Sequence, residues 1–538
     1  MDRKIHKKRK ALVAATTVLS LFIMPVGSNA AANITYMQAV SAGTTLTPIL
    51  TSGDLVGTYV VPGIPDGVGT YIDGKKLRVI TNHEWSNTNA VAAGRTSAMG
   101  VSAGSFMSSF HYDVQVGSVT SMRDFISDVT WYNYANSSHG ITPGAPAGAA
   151  FKDSYGSESH SRLLNRFCSA TLSNVDGLYD KASKTGYEGH VYFAGEEGGD
   201  ESRAFAATMD GDLVQLPRLG LASWENLVPS NSSGKSTVVF GLEDGSATDS
   251  QLWMYLGTKG KKGKWFEKAR LNNGKNYVLS ATSAEPFAND NEFRTKYGKN
   301  KPVAVNFTEV DWSTNGVTQN AAAREKGIEL ARVEDGHFDP KNPNDFYFVT
   351  TESNKDPIAT APNPATPTVS RDGGALWRLR LVDVKNPLKG ATLEMLLNGG
   401  EEPLLSKPDN IVVDDAGNVL IQEDPGNNAL VARIVAYNIA SKKVAVVAKF
   451  KDEYFATGGT SFITQDEESS GIVDVSEFMR KGKSDKAKYY LYVAQIHAST
   501  VKARPDLDSA TATWLPQAVE GGQWYVMKID NWGSVYGG

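Results

Sequence analysis

The chain has 538 residues, 54 Lys and Arg against 59 Asp and Glu, a formal charge of -5 and a single cysteine, Cys168. The acidic balance argues against nucleic acid or an anionic membrane as the main partner, and a lone cysteine excludes an intrachain disulfide. With 51 Gly, 10 Trp, 21 Tyr and 20 Phe and few long segments of helical period, strands and turns dominate and predict an all-β chain.

Residues 1–30 open with basic residues from Arg3 to Lys10, continue with an apolar stretch over 11–26 and end in Ser28-Asn29-Ala30. This is the pattern of a cleaved secretory signal peptide. Its removal takes away six basic residues and one acid, moving the formal charge from -5 to -10. No later stretch reaches the ~20 apolar residues that span a bilayer. The mature chain is therefore expected to be secreted, extracellular or periplasmic, and free of membrane spans. Length alone allows about two to four domains, but a large all-β ring runs longer as one unit, so 31–538 reads as a single domain.

Residues 31–75 form a weakly polar segment with a turn-rich run at 61–67 and a hairpin signal at 72–75. A strand at 77–80 runs into His83 and Glu84, which read as a metal-ligand pair or as a hydrogen-bonded surface pair. Residues 86–165, rich in Ser, Gly and Ala, read as a long excursion folded over one face. In 189–203 the apolar run Val191-Tyr192-Phe193 empties into Glu196, Glu197, Asp200 and Glu201 among glycines. Strand ends of this kind recur: 238–240 before Glu243 and Asp244, 346–349 before Glu352, and 419–421 before Glu423 and Asp424. Two more are 462–463 before Asp466, Glu467 and Glu468, and 491–493 before His497. Glu225 lies outside this pattern. Residues 281–325 are polar and irregular and read as an insertion, and only 320–329 and 474–480 have a convincing helical period. Glu334, Asp335, His337 and Asp339 cluster ahead of a strand at 345–350, a proline-rich surface loop covers 357–367, and the loop 422–428 has no balancing base before Arg433.

So many strand ends running into acids or histidine require a fold that brings strand ends to one place, and four-stranded sheets repeated radially around a channel do so. Carboxylates gathered there repel one another unless a cation balances them. Oxygen donors mixed with Asn and glycine-rich carbonyls suit Ca²⁺ or Mg²⁺. Cys168 is either a small buried apolar residue or a soft metal ligand.

The succession Arg166-Phe167-Cys168-Ser169, Gly195-Glu196-Glu197, Val333-Glu334-Asp335-Gly336, Pro408-Asp409-Asn410, Gln422-Glu423-Asp424 and Gln495-Ile496-His497 resembles the order of motifs in the PhoX-type alkaline phosphatases and their secreted relatives. The resemblance spans about Leu77 to Gln523 and implies a six-bladed β-propeller with a mixed iron and calcium cluster, acting on phosphate monoesters. Carried over position by position, it makes Cys168 the thiolate ligand and Glu197 and Glu334 the iron-binding or bridging carboxylates. Glu196, Asp409 and Glu423 become members of a Ca²⁺ shell, with Fe³⁺ on the thiolate side. His83, Glu84, Asp335, Asp466, Glu467 and His497 are further ligand candidates. The chain departs from typical members at Gly195, where they carry a second cysteine, in 169–188, and at Gln495-Ile496-His497-Ala498, where they carry Gln-His-Pro-Gly. It therefore reads as a divergent branch.

Phosphate recognition calls for a guanidinium, and Arg162, Arg166, Arg203 and Arg332 lie beside these motifs. Arg166, Arg203 and Arg332 are the catalytic candidates, in a monomer acting on a small phosphorylated substrate by metal-assisted hydrolysis. No serine nucleophile elbow or phosphate-cradling loop is present. Two alternatives remain open: a calcium-only propeller hydrolase of phytase or lactonase type, and a non-catalytic secreted propeller that uses calcium to rigidify a binding face.

Overall fold

The computed structural model describes residues 34–94, 104–246, 248–352, 373–401, 404–427 and 430–537. The expected signal peptide at 1–30 and the proline-rich stretch 357–367 lie outside them.

The chain builds four-stranded antiparallel fans in sequence, each made of short runs of β-branched and aromatic residues separated by tight turns. The first is Pro65–Asp73, Lys76–His83, Phe106–Asp113 and Ser118–Asp124. Its opening hairpin turns at Gly74, whose φ of +64° suits glycine. The second is Phe167–Leu172, Val191–Glu196, Ala204–Thr208 and Asp212–Gln215, extended on its outer edge by Asp128–Asn133 and Ser138–Gly140. The third, Trp224–Pro229, Ser236–Glu243, Leu252–Thr258 and Lys275–Ala281, is joined through Val303–Val310 to the fourth. The fourth is Val333–Phe338, Asp345–Thr350, Ala375–Leu381 and Ala391–Asn398, so these two share one nine-stranded sheet. The fifth is Pro408–Val413, Asn418–Glu423, Arg433–Asn438 and Val444–Phe450, with Met37–Ala39 on its edge. The last is Glu467–Asp474, Lys488–Ser499 and Glu520–Ile529, completed by Thr44–Thr51 from the other end of the chain.

The first strands of these fans pack one against the next and return to the start, which makes the architecture a β-propeller. Apolar side chains follow the same plan, with one cluster between each pair of neighbouring fans. Ile80, Met107 and Tyr192 join the first to the second, Phe193 and Trp253 the second to the third, and Phe240, Phe346 and Trp377 the third to the fourth. Val349 and Ile421, Leu420 and Tyr492, and Leu491 and Val79 do the same around the rest of the circle.

Three features differ from the sequence expectations. Residues 86–165 are not one excursion: Phe106–Asp113 and Ser118–Asp124 complete the first fan, Asp128–Asn133 and Ser138–Gly140 edge the second, and the stretch around Ser154 and Tyr155 reaches the cavity. The polar stretch 281–325 carries the strand that fuses two fans, because its apolar residues Val303 and Val305 alternate with polar ones along one buried face. It also carries the helix Gly316–Lys326, started by the Asn315 side chain accepting from Thr318 N–H, whereas 474–480 holds only the single turn Ser476–Met479. Residues 462–463 form no strand, and Glu467 instead begins one.

Closure depends on the N-terminal strand, which pairs with Glu520–Ile529 along its length. Arg504, fully buried beside this seam, donates to the Ser52 carbonyl at 2.9 Å and to Asp54 and Asp506 at 2.8 and 3.0 Å. Removing one member of a buried charge network leaves the others unpaired and costs about 3 kcal/mol or more. Arg504→Ala is expected to lower the urea-unfolding midpoint by the equivalent of about 3 kcal/mol, and a loss under about 1 kcal/mol would show that the seam holds without it.

Candidate metal centre

Each of the six first strands carries an acid or the cysteine as its second residue: Asp66, Cys168, Glu225, Glu334, Asp409 and Glu468. In five of them the pairing register with the next strand slips across this residue, and in the last it slips two residues later. A slip of this kind bends the strand and re-aims its side chain, and here it turns the second residue towards the shared axis. The third positions form a polar belt beneath. Asn226 Nδ2 donates to Asp335 at 2.5 Å and to Ser169 Oγ at 3.2 Å, and Asn410 Oδ1 accepts from Gly471 N–H at 3.0 Å.

The second strands end at the same hub with residue pairs whose members face opposite ways, as alternation along a strand requires. Glu84 and Glu197 join the ring residues. The nearest ligand atoms of Asp66, Glu84 and Cys168, of Cys168, Glu197 and Glu225, and of Glu225, Glu334 and Asp409 lie within 4.8 Å in each trio. Cys168 Sγ is 2.6 Å from Glu197 Oε2. The three trios share Cys168 and Glu225, so they form one continuous cluster.

Glu196 and Glu423, expected in a Ca²⁺ shell, face the sheet instead. Glu196 accepts from Asn165 N–H at 2.9 Å and from Arg203 Nε and Nη2 at 2.7 and 2.6 Å. Glu423 accepts from Ser406 N–H at 2.8 Å and from Arg433 Nε and Nη2 at 2.7 and 2.5 Å. These matching latches tie the starts of the first strands of the second and fifth fans to their neighbours. Arg203, expected to bind phosphate, is wholly buried in its latch and reaches the Ser161 and Leu163 carbonyls as well. His83 is held off-axis between the Gly63 carbonyl and Ser108 at 2.9 and 2.8 Å, its ring stacked on Phe106. Glu467 accepts from Ala432 N–H at 2.9 Å, away from the trios, and the Asp466 carbonyl accepts from His497 N–H. Asp335 lies in the belt.

Arg166 and Arg332 stand in the wall of the hub, each two residues before a ring residue. Arg166 contacts Glu84 at 2.9 Å and Glu197 at 3.2 Å. Arg332 clamps Asp244 with two bonds of 2.7 Å and lies 3.4 Å from Glu334. Lys407 holds the same position in the fifth fan, 3.5 Å from Glu352. Arg332 and Lys407 adopt left-handed backbone, with φ of +58° and +49°, strain of the kind stored at functional sites.

A cavity of about 410 Å³ opens onto this ring, lined by twelve acids and two arginines. Burial pushes Asp66, Glu225, Glu334 and Asp409 well above the usual carboxylate range, with neighbouring carboxylates adding to the effect. It raises Glu197 to about 8, Glu468 to about 7 and the Cys168 thiol well above its ordinary value. Glu84 differs: burial works against its charge, but the Arg166 guanidinium and hydrogen bonds from Asp66 and Cys168 bring it down to about 2. The buried oxygens Asp66 Oδ1 and Asp409 Oδ1 have no hydrogen-bond partner. Unpartnered carboxylate oxygens and a thiol in a pocket with too few bases are a donor set that fits cations.

Sequence reasoning missed Asp66 as a member of the hub, set Glu225 aside, and named Glu468 only within a strand-end run without carrying it into the ligand set. The readable signal was the acid or cysteine at the second place of each first strand, followed by Gly, Ser, Asn or Asp.

The family model for alkaline phosphatase PhoX matches residues 211–471. Among solved structures, the chain is similar to Pseudomonas fluorescens PhoX in complex with vanadate, a transition state analogue, with a TM-score of 0.58 and 11% identity, covering 92% of this chain and 96% of that one. A luciferin-regenerating enzyme gives 0.32 at 9% identity, covering 90% and 95%. A gluconolactonase from Xanthomonas campestris gives 0.32 at 9% identity, covering 94% and 98%. No curated protein matches. The resemblance to the PhoX alkaline phosphatases therefore extends to the fold. Gly195 packs so closely on Trp224 that a Cβ there would lie 2.2 Å from the Trp224 Cβ.

A carboxyl that keeps its proton when folded but loses it near 4.5 when unfolded has its full stability below that range and loses it as pH rises. With Glu197 at about 8 and Glu468 at about 7, metal-depleted protein is expected to melt at a higher temperature at pH 5 than at pH 8. Added Ca²⁺ should raise the melting temperature more at pH 8. Calorimetry showing the opposite slope would mean that these carboxyls are ionised without a cation.

Proposed function

We propose that the protein is an exported, metal-dependent phosphatase that hydrolyses phosphate monoesters at the propeller hub. The carrying observation is the ring itself: five carboxylates and one thiol brought to a single hub by equivalent positions of successive fans, the carboxylates lining one cavity beside two arginines. The match of the PhoX family model supports the same reading. Among the described residues no helix is long and apolar enough to cross a membrane.

On this reading Cys168, Glu197 and Glu225 hold the softer side of the cluster, where Fe³⁺ would bind, and Asp66, Glu84, Glu334 and Asp409 hold Ca²⁺ through hard oxygens. When bound, such cations neutralise phosphoryl oxygens and lower the pKa of water. The chain's own groups supply orientation. Arg166 and Arg332 supply fixed positive charge suited to phosphoryl oxygens, and their carboxylate partners hold the guanidinium groups in place before substrate arrives. Burial alone would discharge His497, but Glu468 and Glu520 keep its proton well above the ordinary histidine range. It lies 2.9 Å from Glu520 and 3.9 Å from Glu468, so a third cationic group stands next to one of the ring acids.

Purified mature protein is expected to release phosphate from p-nitrophenyl phosphate, to lose that activity on chelation and to regain it with Ca²⁺. Cys168→Ala should reduce bound iron and any visible absorption band, and Arg332→Ala should lower kcat/KM about 100-fold, as loss of one transition-state donor does. A colourless calcium-loaded enzyme with full turnover would remove iron from the reading. Absence of turnover on any phosphomonoester with the metals bound would remove the phosphatase.

A further inference from the structure

The cavity above the ring is almost wholly polar, and Tyr155 is the one aromatic among its described lining residues. It comes from the 134–166 segment, outside the fans, and remains half-exposed at the mouth. Its ring lies 5.4 Å from the Arg166 guanidinium carbon, and its hydroxyl accepts a hydrogen bond from Arg166 Nη1. A phenol that accepts from a guanidinium still has its own proton to donate. Burial, then the nearby Glu197 charge, holds the phenol well above its ordinary range, so that proton is retained.

The loop that carries Tyr155 is clasped to the turn after Glu197. Ser154 N–H donates to the Gly198 carbonyl at 2.8 Å. Asp153 Oδ1 accepts from Tyr155 and Ser157 N–H at 3.0 and 2.7 Å. His160 and Glu201, both buried, meet at 2.8 Å on the far side of the loop. The ring is therefore held ready over the cavity, and a phosphate bound between the cluster and the arginines would send its ester group out past it. The same cavity is lined by Asp200, Asp249 and Asp424 as well, which disfavour an anionic ester group.

We propose that Tyr155 is a specificity-determining residue that selects phosphate monoesters with an uncharged, planar leaving group, packing its ring on that group and donating its hydroxyl proton to the bound ester. This rests on the phosphatase reading above and names its substrate class. Stacked aromatic pairs gain energy beyond the area they bury, so the contact discriminates between flat and aliphatic esters.

The test compares kcat/KM for p-nitrophenyl phosphate and glycerol phosphate in the intact metal-loaded enzyme, Tyr155→Ala and Tyr155→Phe, with bound metal measured in each. Tyr155→Ala is expected to reduce the aryl-to-alkyl ratio about tenfold, a step of about 1.4 kcal/mol. Tyr155→Phe should keep the ratio while lowering both rates severalfold, and metal content should stay at the intact level in both. An unchanged ratio in Tyr155→Ala, or losses that track lost metal, overturns this inference while leaving the phosphatase standing. No turnover of either ester by the intact enzyme sinks the phosphatase reading and this inference with it.

Discussion

Mutual repulsion among carboxylates at the hub is the constraint to which the rest of the molecule answers. Unit charges a few ångströms apart in a poorly hydrated pocket interact by several kcal/mol, and here twelve acids line one cavity. Protons, bases or cations must offset that repulsion. The raised pKa values of Asp66, Glu225, Glu334 and Asp409 are what the chain does alone. Sites with a functional task concentrate such perturbed groups, whereas a purely structural hub could have been filled with Leu and Val.

Holding such a ring needs a rigid surround. It comes from two layers with separate duties. One layer is apolar: a cluster between each pair of fans fixes their angle. The other is polar: the Glu196–Arg203 and Glu423–Arg433 latches and the Asn226–Asp335 belt pin the strand starts from which the ring residues project. Alternation along a strand makes the division possible, since neighbouring Glu196 and Glu197 lie on opposite sides and one can brace while the other binds.

That division also explains how much could be read in advance. The seven strand-to-acid or strand-to-histidine junctions in the sequence pointed to a hub, and all but the one at 462–463 are ends of second strands. Which acid of a pair turns inward is a matter of phase, and a shift of one residue reverses it, so Glu196 and Glu423 were indistinguishable from Glu197 and Asp424. Of the ring residues, Asp66 and Glu225 were harder to see because each lies at a register slip, where simple alternation fails. Asp66 was hidden inside what read as a turn. Tyr155 reaches the cavity through tertiary placement of an outer loop, which no local pattern encodes.

The ring is not symmetric, and its asymmetry has a physical sense. The close trios run from Asp66 through Cys168, Glu225 and Glu334 to Asp409 and leave out Glu468. That residue instead faces Ser470, Gln495 at 3.2 Å and His497, whose charge the surrounding acids maintain. Two positions of the circle, Asp66 and Asp409, thus present carboxylates with an oxygen left unpartnered, while the last fan brings its own cation. A hub in which every fan carried its own base would have little affinity for metal, and one with none would have no fixed positive group beside the cluster. Successive fans, folded from one plan, supply both by differing at the same position.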